Sequence, residues 1–119
     1  KFRKIYDIVL QAKKLAIENC KEGIKGKDLD NIARRFITSN GFGENYRHGL
    51  GHGVGLEVHE APIVSTDQEN VLKENMVITI EPGIYIPGLG GIRIEDMVIV
   101  KKNGCEILYK SKKDFTILP

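Results

Sequence analysis

The chain has 119 residues, enough for one small domain with a single modest core. Its 41% hydrophobic and 29% charged residues are ordinary for a globular protein, and a net charge of +2 gives no ground for a nucleic-acid partner. No apolar run approaches the ~20 residues that cross a bilayer, and no signal-peptide pattern opens the chain, so neither membrane nor export is expected. It begins at Lys1 and enters a helical pattern almost at once, as a segment of a longer chain would.

From about Phe2 to Glu22, Ile5, Ile8, Val9, Ala12, Leu15 and Ala16 recur at the three-four spacing of an amphipathic helix. Gly23 is placed to end it. A second helix is expected from about Asp28 to Ser39, with Leu29, Ile32, Ala33, Phe36 and Ile37 on its inner face and a stop at Asn40-Gly41. Asp28 and Asp30 fall in its first turn, where the helix dipole favours negative charge. Cys20 and Cys105 have no CxxC partner and read as free thiols in a reducing cytoplasm.

Beyond Gly41 the chain turns glycine-rich, which a helix does not tolerate well, since each interior Gly costs about 1 kcal/mol relative to Ala. Strands are then expected at Met76 to Ile80, Ile84 to Ile86, Ile92 to Val100 and Glu106 to Tyr109, with a hairpin at Asn103-Gly104. The run Lys110, Lys112, Lys113 reads as a solvated tail. Helices first and antiparallel strands after define an α+β layer structure.

Three clusters could carry chemistry. All three histidines, His48, His52 and His59, lie in the stretch HGLGHGVGLEVHE. Histidine is the commonest metal ligand, and glycines let backbone approach an ion or substrate closely. In ITIEPGIY, Glu81 ends an apolar strand, where a carboxylate needs a cation or a metal as partner. In GGIRIEDMVIV, alternation sets Arg93 and Glu95 on one face and Asp96 on the other. The bland alternatives are surface loop histidines and a weak surface ion pair between Arg93 and Glu95. One His and two carboxylates make a workable set for Zn, Mn, Co or Fe(II), although this is not the helical HExxH zinc signature.

Together and in this order, the three motifs resemble the second half of the pita-bread metallopeptidases, which include Xaa-Pro dipeptidase (prolidase), Xaa-Pro aminopeptidase, methionine aminopeptidase and creatinase. The short spacing from Glu81 to Glu95 and the R-I-E-D context resemble the Xaa-Pro branch most closely. The resemblance implies half of a pita-bread fold over residues 1–119, two N-terminal helices followed by an antiparallel sheet. It implies that His52, Glu81 and Glu95 are metal ligands, Glu95 bridging two divalent ions, of which Mn is favoured and Co or Zn are possible. Glu81 would also carry a proton to the leaving amine, and His59 and His48 would face an Xaa-Pro dipeptide or peptide. Tyr85 and Arg93 would support the site from behind the ligands.

The family's site has two further aspartate ligands on an upstream strand pair, and Asp7, Asp28 and Asp30 all fall in helical patterns. The resemblance therefore implies half a site: weak or absent metal binding, no activity alone, and dependence on the missing N-terminal half of the same chain, the parent being a cytoplasmic homodimer. Methionine aminopeptidase, a lone His-Glu-Glu hydrolase, and a non-catalytic half-domain serving as a peptide-binding or assembly module are the alternatives.

Overall fold

The computed structural model describes residues 2–54 and 63–110, with the side chains of residues 109 and 110 left aside. Helices α1 (Phe2–Asn19) and α2 (Gly26–Ser39) pack on each other. Among the described residues a short 3-10 turn, Gly43–Asn45, leads to seven strands: β1 (Gly51–His52), β2 (Ile63–Val64), β3 (Val77–Ile80), β4 (Gly83–Ile86), β5 (Gly90–Arg93), β6 (Asp96–Val100) and β7 (Cys105–Lys110). The α+β order expected from the sequence is the one observed.

The apolar stripe of α1 is buried as its spacing requires, with Ile5, Ile8, Val9, Ala12 and Ala16 in the core. The helix stops at Asn19, three residues before the expected end, and Gly23 takes its positive φ of 93° in the turn that follows. Helix α2 starts at Gly26 rather than Asp28. It ends where the sequence indicated, in a Schellman motif. Phe42 N–H bonds the Ile37 carbonyl at 3.1 Å, Gly41 N–H bonds Thr38 at 2.9 Å, and Gly41 holds the left-handed conformation.

All strand pairs are antiparallel. Strand β6 is central between β3 and β7, and β4 and β5 form a separate hairpin. The register sets Val77 opposite Ile99 and Ile80 opposite Asp96. Ile78, Ile80, Val98 and Val100 are buried, whereas Val77, Met97 and Ile99 on the other face are half-buried.

The single strand expected from Ile92 to Val100 is in fact two. Arg93 closes the β4–β5 hairpin, Ile94 and Glu95 leave the ladder, and β6 begins at Asp96 to pair with β3. Alternating burial runs unbroken through the gap, so the face assignment of Arg93, Glu95 and Asp96 survives the break. The β6–β7 turn is also wider than a two-residue hairpin, spanning Lys101 to Gly104 with Lys101 N–H on the Gly104 carbonyl at 2.8 Å.

A buried ion pair fastens the helical layer to this sheet. Lys13 Nζ on α1 lies 2.8 Å from Asp96 Oδ2 at the start of β6, and both side chains are almost wholly buried. Neither charge can recover water, so removing one member takes away the other's opposite charge. Lys13→Met should cost about 3 kcal/mol in urea unfolding, and adding Asp96→Leu should recover most of that loss.

Cys20 and Cys105 are free, as expected. Cys20 N–H and Cys105 Sγ both bond the Ile17 carbonyl, at 3.2 and 3.5 Å. The adjoining Cys105 sulfur, with burial, drives the Cys20 thiol far above its usual range. The Cys20 thiol in turn holds Cys105 below that range. Only the thiolate alkylates. Iodoacetamide at mildly alkaline pH should therefore modify Cys105 well before Cys20, as peptide mass mapping would show.

Candidate functional site

The glycine-rich segment after α2 lies along the free edge of β3. Glu81 N–H bonds the Leu50 carbonyl at 2.7 Å, Val54 N–H bonds Val77 at 2.8 Å, and Gly53 bridges Ile78. His52 N–H reaches Thr79 Oγ1 at 3.1 Å. So close an approach requires glycine at position 51: a Cβ there would run into the Thr79 carbonyl. This seating places His52 beside Glu81, with Nε2 at 3.5 Å from Oε2, His52 about half exposed and Glu81 mostly buried.

The orientation of the His52 ring matters chemically. Its Nδ1 lies 2.9 Å from the Gly53 carbonyl, a partner that can only accept, so Nδ1 carries the proton. The other ring nitrogen, Nε2, faces the side of Glu81. An oriented imidazole and a neighbouring carboxylate fit a divalent ion as part of a donor set. Glu95 is half-buried one residue beyond the Ile80–Asp96 pair, where Glu81 also leaves β3. Among the described residues no three of His, Cys, Asp and Glu converge closely enough to hold a metal ion. The structure thus joins His52 to Glu81 and puts Glu95 at the neighbouring strand position. His59 lies outside the described residues.

A second group assembles around His48. Its Nδ1 lies 2.7 Å from the Gly49 carbonyl, and its Nε2 accepts from the Tyr85 hydroxyl at 2.8 Å. The Tyr85 ring folds back over Gly91, its cross-strand partner, which has no side chain to displace it. Burial raises the Tyr85 pKa, although the adjoining Arg93 pulls the other way, so the hydroxyl stays protonated and can donate at neutral pH. Arg93 itself is exposed, and its charge acts on the Tyr85 hydroxyl. No ion pair joins Arg93 to Glu95 among the described residues.

Two residues outside the motifs belong to this region. Asp30, read from the sequence as a first-turn dipole residue, is fully buried. It takes Arg34 Nε at 2.9 Å and Nη2 at 3.2 Å, and accepts Leu50 N–H at 2.9 Å. Arg34 continues to the carbonyls of Tyr46 and His48, at 2.9 and 2.8 Å, and lies 4.1 Å over the Tyr46 ring. Burial alone would lower the Arg34 pKa; the hydrogen bonds and charge of Asp30 outweigh that and raise it. The signal was legible, because Asp30 and Arg34 are opposite charges four apart on one helix.

The glycine-rich segment thus seats an oriented histidine beside Glu81 at the end of β3, with Glu95 just ahead of β6. The model of metallopeptidase family M24 matches residues 1–102, and the chain belongs to that family. It is 57% identical to an Xaa-Pro dipeptidase of Pyrococcus horikoshii over 96% of this chain and 32% of that protein. Among solved structures it is similar to the prolidase from Pyrococcus furiosus, with a TM-score of 0.88 and 57% identity, covering 92% of this chain and 33% of that one. It is also similar to the X-Pro aminopeptidase from Thermotoga maritima, with a TM-score of 0.89 and 48% identity, covering 94% of this chain and 32% of that one. The fold is thus that of part of a pita-bread domain, and the chain spans about a third of the length of the curated relatives it matches.

Gly51→Ala should unseat the segment from β3 and separate His52 from Glu81. A stability loss of ~3 kcal/mol in urea, with loss of amide protection at Val54 and Glu81, is the expected outcome.

Proposed function

We propose that residues 1–119 form the C-terminal half of the catalytic domain of a dinuclear Xaa-Pro peptidase, cleaving the bond before proline in a dipeptide or peptide. The observation that carries this is the His52–Glu81 pair, with the imidazole oriented by the Gly53 carbonyl. The relatives are named Xaa-Pro dipeptidase, prolidase and X-Pro aminopeptidase, the branch to which the Glu81–Glu95 spacing points.

In this reading His52, Glu81 and Glu95 hold divalent ions together with two aspartates from an upstream segment. The mixed imidazole and carboxylate set suits Mn, with Co or Zn as substitutes. Such ions, when bound, supply the positive charge that polarises a scissile carbonyl and acidifies water. Glu81 takes up a proton and delivers it to the departing amine nitrogen. His48, held by Tyr85, and His59 line the substrate side, and Arg93 steadies Tyr85. The parent is a homodimer in the cytoplasm, a compartment that suits the two unpaired thiols. No helix among the described residues is long and apolar enough to cross a membrane.

Calorimetric titration of this chain with Mn²⁺, beside Glu95→Ala, tests the half-site. Weak or no binding and no hydrolysis of an Xaa-Pro dipeptide are expected from the chain alone. Two tightly bound ions would sink the half-site reading. In the chain extended upstream to include two strand-borne aspartates, Xaa-Pro hydrolysis should appear and be abolished by a chelator. Glu81→Gln should then lower kcat by ~100-fold or more. An extended chain that binds Mn²⁺ yet leaves Xaa-Pro bonds intact would refute the substrate assignment.

A further inference from the structure

We propose that Asp30 and Arg34 act as a positioning pair for the site, fixing the path of residues 46–50 and through it the ring of His48 and the entry to His52. The inference rests on the reading of His48 and His52 as site residues.

The segment they hold has little rigidity of its own. Gly49, Gly51 and Gly53 alternate with Leu50, His52 and Val54, and glycine backbone samples many conformations. From β3 it receives bonds at Leu50, His52 and Val54. From α2 it receives a second set: Arg34 on the carbonyls of Tyr46 and His48, and Asp30 on the amide of Leu50. The two sets meet at Leu50, whose amide goes to the helix and whose carbonyl goes to the strand. His48 is therefore anchored by its own carbonyl and at the amide two residues on. The ring has its own supports, since Tyr46 packs edge-on at 5.2 Å and Tyr85 donates to Nε2.

The guanidinium also has the shape for the task. Its planar fork serves a carboxylate on one side and two carbonyls on the other, which an ammonium cannot do at once. A pair serving the stability of α2 alone would need neither the reach to Tyr46 and His48 nor the bond to Leu50. Within the buried surroundings of Asp30, its carboxylate is bonded by the Leu50 amide and by Arg34.

Arg34→Lys keeps the charge facing Asp30 and removes the fork. The test is nitrogen NMR of the histidine rings in this chain, with hydrogen exchange at the Leu50 amide. In the parent sequence His48 should show one tautomer, protonated at Nδ1. In Arg34→Lys that signature should collapse toward a tautomer mixture, and Leu50 should exchange roughly tenfold faster while α1 amides keep their protection. Val9→Ala, a core truncation in α1, is the control for general destabilisation and should leave the His48 tautomer intact. Asp30→Asn is read the same way if Arg34→Lys does not fold. An unchanged His48 tautomer in a folded variant would overturn the proposal, as would unfolding of both variants, because the pair would then serve folding alone. Neither readout involves a metal ion or turnover. A chain extended upstream that binds Mn²⁺ yet fails the peptidase assay, with an altered tautomer in Arg34→Lys, would reject the catalytic reading and keep the positioning pair.

Discussion

His52 can stand beside Glu81 only because the segment from Leu50 to Val54 lies flat against the edge of β3. Bonds at Leu50, His52 and Val54 hold it there, and Gly51 removes the side chain that would otherwise strike the Thr79 carbonyl. The same seating puts Nε2 of His52 3.5 Å from Glu81. Glu95 depends on the strand through a different bond pattern, the β3–β6 ladder that ends at Ile80 and Asp96. One strand, β3, thus sets the place of the histidine on one edge and of the second glutamate on the other.

The helical layer fixes that strand arrangement by charge as well as by packing. Lys13 of α1 meets Asp96 at the start of β6, one residue from Glu95. Asp30 and Arg34 of α2 meet the loop that carries His48 and leads to His52. A buried ion pair contributes little net stability compared with apolar side chains of the same volume, but it tolerates few geometries. Both pairs lie where the position of a candidate site residue is decided.

The expected and the observed elements agree where the partners lie within one strand or one loop. Glu81 directly follows β3, before Pro82 and Gly83, and Tyr85 and Arg93 belong to one hairpin, where a hydroxyl reaches His48. They differ where partners come from distant segments. The continuous strand from Ile92 to Val100 divides at Ile94 and Glu95, because Arg93 answers to β4 and Asp96 answers to β3. Alternation carries through such a break unchanged, so a pattern of period two cannot reveal that the partner strand has changed.

Local physics was readable from the sequence by itself. The three-four spacing gave α1 and α2 their buried faces, Asn40-Gly41 marked a Schellman stop, and the order of the three motifs marked the family. Each of these is encoded in residues a few positions apart. The tertiary structure alone decided that Asp30 is buried under Leu50, that Lys13 faces Asp96, and that His52 turns Nε2 toward Glu81. These depend on groups twenty or more residues apart. A charged side chain on a helix carries the same local signature whether it meets water or a backbone amide from elsewhere in the chain, and only the packed fold removes the water.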